Sequence, residues 1–596
     1  MSLALATRKA ALAPGKWVSF PDALWRRARA VPSLDLRFAD NKSLTDAVTG
    51  QSLVTFTRAS SGTYVGSDGV LRTATTNLLL RSQELATSPW FNAGVTIANN
   101  STDVLDPVGG STSTKIVATG TGSAVGQGAT ISSVSTGSIW LRTSTGTANF
   151  SLIIYLSSSP FTNIGTANIT VTTTWQRFSV TSSAPASAAS YNFQLQAIPA
   201  TTLYAWGAQL EQSSTVGEYI PTTSTINSAP RFDHNPTTGE SLGLLVEEQR
   251  TNSIRNNTMV GAVAGTPGTL PTNWAIGNAG TLSTSIIGTG TESGITYVDL
   301  QISGTSSTGG PRIRFEALDS ITAASGQTWT GSVYVRQVGG STTNITSLTA
   351  DVFTRDTAQT TEVETFAGSN ITSLGVSSII RSRSTVSGTL ANASSTRVCS
   401  RLTLNCSSGV AIDITLRIGL PQLEQGAFAT SVIPTATATV TRSADVASIT
   451  GTNFSSWYRQ DEGTVFASTS NAGTGASFMF SIHDGTQNNR ITQFRTTSAV
   501  GSRHVVAGVA SNPGDVFFSG GASAQVRSAL FVSSSSSVGC ANGVLSTASS
   551  AGSMPVVTTL GIAMAPASDF QLNGTIRRLT YWPRRLGNEV LQEVTR

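Results

Sequence analysis

Gly239–Glu240–Ser241–Leu242–Gly243 has the G-x-S-x-G spacing of a serine nucleophile elbow, with His234 close before it. An elbow needs an apolar strand running in and a helix running out, so that the serine sits on a strained turn. Here the polar run from Asp233 to Gly239 leads in. The segment therefore reads as a turn, with Pro236 and Gly239 setting backbone angles and Asp233 capping it. A glycosidase would need two carboxylates about 5 to 9.5 Å apart across a cleft. Asp233, Glu240, Glu247 and Glu248 are the candidates, and the sequence leaves open whether any two converge. His234, His483 and His504 stand apart, none with a second His or Cys at zinc-ligand spacing. No loop has the EF-hand spacing for calcium. No catalytic residue, metal or cofactor is expected, and His483–Asp484–Gly485 reads as a hairpin tip with Asp-Gly at the turn.

Aromatic rings supply a second kind of chemistry, stacking on sugar faces. Tyr581 and Trp582 are the candidates for carbohydrate contact, with core packing an equal alternative. Trp140 and Tyr334 read as core or inter-sheet packing, because aromatics carry much of a sandwich core. A third group lies in the first thirty residues, where Trp17, Trp25, Arg26 and Arg27 suit a docking interface. Ser19 is expected to cap a short helix over the following Ala23–Val31 run, and Pro32 to end it.

The elements that must hold these groups are strands. Charged residues make up only 12% of the chain and hydrophobic residues 39%; Ser, Thr, Gly and Asn solvate the surface instead. That balance points to an ordered, exposed all-β protein rather than a disordered tail. The net charge of +5 carries no nucleic-acid signal. No stretch reaches the roughly 20 apolar residues of a membrane span, and the opening segment lacks the apolar core of a signal peptide. Cys399 and Cys406 lie seven residues apart in one extended run, about 23 Å if it is a single strand. They cannot pair, and with Cys540 all three read as free thiols of a protein folded in a reducing cytoplasm.

The chain also repeats itself. One copy opens at Thr76–Asn77 and the other at Thr251–Asn252; Gln209–Leu210–Glu211–Gln212 answers Gln422–Leu423–Glu424–Gln425; Ile220–Pro221–Thr222 answers Ile433–Pro434–Thr435. A period of roughly 170 to 180 residues is a duplicated domain, not a solenoid unit. Glu211 and Glu424, at matching places, read as bonded to a neighbouring loop or an arginine. Alternating patterns broken by Gly, Asn and Ser turns make each copy a sandwich or jelly roll.

The runs from Leu34, Val54, Ala229 and Thr441, and the closing Gly574–Gln592, resemble structural proteins of tailed phages, often tail or head-fibre components. The resemblance implies carbohydrate-binding jelly-roll modules and a C-terminal concanavalin A-like lectin sandwich. The expected architecture is an all-β, multidomain chain of β-sandwich and jelly-roll modules with a short N-terminal helical segment. Its parts are a virion-anchoring segment 1–30, a β unit 31–76 continued by 229–252, a first jelly roll 77–228 as an insertion, a second over 253–441, and the lectin sandwich 442–596. The expected role is a non-enzymatic virion component, assembled in the host cytoplasm, that displays glycan-binding sandwiches for host adhesion. Other virion proteins, host-surface glycan and further copies of the chain, in a trimer, are the expected partners; nucleic acid and membrane insertion are not. A depolymerising tailspike enzyme and a decoration protein without ligand are the alternatives.

Overall fold

The computed structural model describes residues 22–596 apart from 121, 319, 360, 373, 472, 474, 475, 497, 520–524, 535, 549–552 and 567–570. The fold is an all-β, multidomain assembly of antiparallel sandwiches with a few short helices. It divides into two compact units. The smaller comprises Thr57–Ser61 and Thr73–Ala229; the larger comprises Gly62–Arg72, Pro230–Arg596 and the described residues up to Phe56.

The smaller unit is two five-stranded sheets. One runs in the order Gln176–Thr181, Thr136–Thr143, Thr201–Glu211, Thr114–Ala118, Val95–Ala98. The other runs Asn163–Val171, Ala148–Leu156, Ala189–Ile198, Ser123–Ile131, Phe91–Ala93. Strand side chains alternate between faces, so Ile139 and Leu141 from one sheet meet Leu152, Ile154, Phe193 and Leu195 from the other in a closed core. Each such side chain, fully buried, contributes roughly 1.5 to 3 kcal/mol. Gly137 leaves room for the facing layer: a Cβ there would stand 2.3 Å from the Phe193 ring.

The duplicated module in the larger unit repeats this plan. Its sheets run Ser283–Glu292, Ile295–Thr305, Ala411–Gln425, Thr328–Gly340, Arg383–Thr389, and Ala275–Gly277, Arg312–Arg314, Arg397–Cys406, Ile345–Arg355, Glu362–Ala367. Cys399 and Cys406 share one continuous strand; Cys406 faces the core, and both are free and buried, as is Cys540.

The repeated motifs turn out to be fasteners. Asn77 accepts the Leu79 and Leu210 N–H groups and donates to Ala208 O and Ile220 O. Asn252 accepts from Ile254 and Leu423 and donates to Ile433 O. The Gln209 amide oxygen takes the Ile220 N–H, and Gln422 takes that of Ile433, each at 2.8 Å. Glu211 accepts the Gly217 N–H and Glu424 that of Thr430. Asn77 and Asn252 tie the start of each module to its last strand and to the loop after it, while Gln209, Glu211, Gln422 and Glu424 hold that loop to the last strand itself.

The remaining sandwich differs from the domain plan drawn from sequence. Residues 31–76 and 229–252 do not form a β unit of their own. Leu34–Leu36 pairs with Gly574–Trp582, with Leu34 opposite Tyr581. Ser241–Val246 pairs with the beginning of the same strand, Leu244 opposite Ile576. Both cover one edge of Gly574–Trp582, whose other edge pairs with Glu462–Asn471; without them that edge would stand open. Arg231–His234 extends the sheet beyond Ser241–Val246. The facing sheet includes Val446–Thr450, Thr559–Ile562, Ser477–His483, Arg490–Arg495, Ala499–Val506 and Val509–Ser519, and Leu34, Phe38, Phe56, Leu244 and Val246 join its core.

The first helix is Ala23–Ala28, capped by Asp22, whose carboxylate accepts the Leu24 and Trp25 N–H groups. The expected cap, Ser19, lies outside the described residues. The helix ends at Arg29 in a left-handed conformation, before Pro32. A closing helix spans Asn588–Thr595. Leu24, Ala28 and Ala30 pack in one cluster with Trp582, Leu591 and Val594, so residues 22–30 belong to this sandwich rather than to a separable peptide.

Candidate functional site

None of the strands Asn163–Val171, Ala148–Leu156, Ala189–Ile198, Ser123–Ile131 and Phe91–Ala93 contains Asp, Glu, Lys, Arg or His. Their inward positions are spent on the core, so their outward positions form a wholly neutral face. Register lays one row across it: Phe91, Gly126, Gln194, Ile153, Thr166. A second row carries Gly128, Asn192 and Tyr155, and a third Gln196, Ser151 and Asn168.

The polar groups hold one another in place. Tyr155 Oη donates to Gln194 Oε1 at 2.7 Å, Gln194 Nε2 donates to Gln196 Oε1 at 3.3 Å, and Ser151 Oγ donates to Asn168 Oδ1 at 2.8 Å. Gly126 and Gly128 keep the middle of the face low. A Cβ at 126 would meet the Phe91 ring at 2.7 Å, and one at 128 would meet Asn192 Oδ1 at 2.9 Å. Phe91 is 38% exposed beside this trough. Amides and hydroxyls that both donate and accept, next to an exposed ring, match a ligand of neutral hydroxyls on an apolar ring face.

The duplicated module fills the corresponding face differently. Arg314 stands between Ala275 and Arg401, where Gly126 stands between Phe91 and Gln194. Arg401 donates to Asp351 and to both Glu362 oxygens and lies over the Phe353 ring at 4.4 Å. Burial would raise the Glu362 carboxyl, but the Arg401 hydrogen bonds and charge, with Thr365 and Arg312, bring it down to about 2. These charges answer one another and leave no trough.

Sequence pointed elsewhere for sugar contact. Tyr581 and Trp582 are 1% and 0% exposed. Tyr581 Oη donates toward Arg459 O and Glu462 O, and Trp582 Nε1 donates to Ala30 O. Neither ring presents a face: Tyr581 packs on Trp457 and Tyr458 inside the sandwich, and Trp582 is covered on the other side by the helices Ala23–Ala28 and Asn588–Thr595. Trp25 is likewise buried and donates from Nε1 to Asp35 Oδ2 at 2.9 Å; Arg26 and Arg27 face outward, and Trp17 lies outside the described residues. Trp140 stands edge-on to Trp206 and Tyr219 beneath Arg177, whose guanidinium is 4.3 Å from its ring. Tyr334 sits similarly under Arg383. Arg177 and Arg383, which sequence reading passed over, make matching bonds to Ser138 and Gly217 O, and to Ser332 and Thr430 O.

The serine motif is one arm of a hairpin. Ser241 opens a strand, opposite His234, so there is no strand–turn–helix elbow at this motif. Asn235, not Asp233, caps the turn, accepting the Thr237 and Thr238 N–H groups. Asp233 instead accepts the Val65 N–H at 2.7 Å, and burial pushes its carboxyl up to about 6. Glu240 pairs with Arg577, Glu248 with Arg250, and Glu247 with Arg231 in the interior. The hairpin tip after His483 is a loop of Asp484 to Asn489, since His483 pairs with Arg490. Among the described residues, no group of three or more His, Cys, Asp or Glu is placed to hold a metal ion, and no helix is long and apolar enough to cross a membrane.

No family model matches the chain, and no curated protein matches it. Solved structures similar to it include a tandem pair of CBM22 domains from Paenibacillus barcinonensis, 14% identical over 59% of this chain and 98% of that one, TM-score 0.21. Another is a CBM4 domain, 19% identical over 21% of this chain and 86% of that one, TM-score 0.17. A third is the CBM40 of a Ruminococcus gnavus sialidase bound to α2,3-sialyllactose, 15% identical over 23% of this chain and 84% of that one, TM-score 0.21. These scores establish no residue correspondence with any of them.

Proposed function

We propose that this chain is a non-enzymatic structural component of a tailed-phage particle whose first module holds a neutral host-surface glycan on the Phe91–Gly126–Gln194 face. The observation that carries the glycan reading is that face itself: five strands without Asp, Glu, Lys, Arg or His, a glycine trough, an exposed ring and orienting amides. It offers hydrogen bonds and ring contact but no carboxylate or imidazole for acid–base cleavage. The phage role is supported by the sequence runs that resemble tail and head-fibre proteins. A single shallow site of this kind binds weakly, with Kd on the order of micromolar to millimolar. Multiple copies on one particle, a trimer or more, raise the effective concentration at a cell surface.

The test is a glycan array and saturation-transfer NMR on the full-length protein and on Phe91→Ala. The expected result is binding to neutral glycans that falls at least fivefold in the variant. Wild-type silence on every neutral glycan, or equal binding by Phe91→Ala, refutes the assignment. Release of reducing ends from host polysaccharide would place the chain among the depolymerases instead. Detection of the chain by mass spectrometry in purified particles is expected, and its absence there overturns the virion role.

A further inference from the structure

We propose a second saccharide site, in a polar recess of about 640 Å³ at one end of the duplicated module, selective for a neutral mono- or disaccharide. It stands on different residues from the sheet face and independently of that reading. Its lining includes Gln249, Gln327, Gln425, Ser253 and Trp329, a set of amides and a hydroxyl beside a largely buried tryptophan. A recess of this size lies within the ordinary range for small-ligand sites, roughly 300 to 1,000 Å³.

The first copy shows why the recess is open in the second. Thr136 opposite Glu211 corresponds to Thr330 opposite Glu424. In the first copy, Gln212 folds over this place: its Oε1 accepts the Ser132 N–H at 2.8 Å and the Ser132 and Ser133 hydroxyls at 2.9 and 3.3 Å. In the second copy Gly326 and Gln327 stand where Ser132 and Ser133 were. Gln327 turns its oxygen to the Trp329 indole N–H and the Ala324 N–H, at 3.1 and 3.0 Å. Gln425 therefore keeps its amide exposed, with no cap to make. Ser253 occupies the place of the bulkier Leu78 in the first copy.

Charge sets the ligand class. Arg250 lines the recess, but its guanidinium pairs with Glu248, lies 3.7 Å from Glu424, donates to Gln425 O and covers the Phe428 ring at 5.0 Å. Gly426 permits that packing, since a Cβ there would fall 2.2 Å from the guanidinium. Glu248 answers this cation, so an anionic sugar meets no spare positive charge, whereas hydroxyls meet amides.

The experiment is saturation-transfer NMR on the full-length protein with maltose, cellobiose and lactose, and with 3′-sialyllactose as the anionic comparator. Four proteins are compared: wild type, Gln249→Ala/Gln425→Ala, Ser253→Leu and Phe91→Ala, with circular dichroism to check folding. At least one neutral disaccharide is expected to bind, with affinity falling fivefold or more in both recess variants and a recess-dependent signal persisting in Phe91→Ala. Unchanged binding in both recess variants, or silence of all three neutral sugars, overturns the site. Sialyllactose binding that the recess variants abolish overturns the neutral class. Loss in the recess variants with no change in Phe91→Ala keeps this site and removes the sheet face.

Discussion

Replacing Arg231 by methionine tests the charge cluster buried in the larger unit. Arg231 is fully buried, with Nη1 2.8 Å from Glu247, 2.7 Å from Ser431 Oγ and 3.0 Å from Thr63 O, and Nη2 on Asp445. Arg442 stands 3.6 Å from Glu247 and 3.9 Å from Asp445. Two cations meet two carboxylates, so losing one leaves an unanswered negative charge in the interior, at a cost of about 3 to 5 kcal/mol. The Glu247 carboxyl gives a second measure. Burial alone would raise it, but Arg442, Arg231 and the Ser431 hydrogen bonds hold it at about 2, against an ordinary 4.5. At about 1.36 kcal/mol per pH unit, that gap is on the order of 3 kcal/mol. Because the folded value lies below the unfolded one, this stability is complete above pH 4.5 and drains as pH falls toward 2. In Arg231→Met only Arg442 remains beside Glu247, so acid unfolding begins at higher pH. Scanning calorimetry at pH 7 should show the larger unit melting on the order of 10 °C lower, with the smaller unit unmoved. A Tm within about 2 °C of wild type, together with an unchanged acid midpoint, would refute the account of a dry, paired cluster.

Asn77→Ala should destabilise the smaller unit, and Asn252→Ala the larger, each by about 2 to 4 kcal/mol in urea unfolding, because each strands several buried backbone groups; losses under about 1 kcal/mol would show the loops are held otherwise. Cys399, Cys406 and Cys540 are buried, and burial pushes the Cys399 thiol up to about 12. A thiol-titrating disulfide reagent at pH 8 should therefore find all three only after denaturation, and prompt native reaction would contradict the packing. Burial holds His483 and His504 at about 4, so the unfolded chain takes up their protons first and stability drains as pH falls from the ordinary 6.5 toward 4. His504→Phe, which removes a buried ring whose nitrogens have no hydrogen-bond partner among the described residues, should flatten that slope between pH 7 and 5. Asp233, raised to about 6, adds a slope of opposite sign to both proteins, so their difference isolates the histidine.

Strand character was legible because alternation and turn residues act locally. The duplication was legible because fasteners such as Asn77 and Asn252 are copied with their neighbours. The composite sandwich was not: Leu34–Leu36 and Ser241–Val246 reach Gly574–Trp582 across hundreds of residues, and nothing in a strand's own pattern names its partner. The aromatic sugar candidates failed for a related reason. Ile576 shares an apolar face with Leu579 and Tyr581 only because the strand bulges at Arg577, and Trp582 is buried on the other side by Leu24, Ala28 and Leu591 from the two helices. The sheet-face site had a readable signal, the five strands without charge, but its rows exist only once Phe91 is set beside Gly126 and Gln194 beside Ile153.

The two copies separate fold from function more sharply than either does alone. What recurs between them, Asn77 and Asn252, Gln209 and Gln422, Arg177 and Arg383, bonds to backbone of its own module. Substituting any of these strands a buried donor or acceptor, so both copies keep them whatever they bind. Outward faces carry no such constraint. There Gly126 gives way to Arg314, and the Gln212 cap over Ser132 gives way to Gln425 beside Gly326. The conspicuous sequence repeats thus mark what any such sandwich needs to close. The positions where the copies part mark where each has room for its own ligand: the charge-free face on the first, the polar recess on the second.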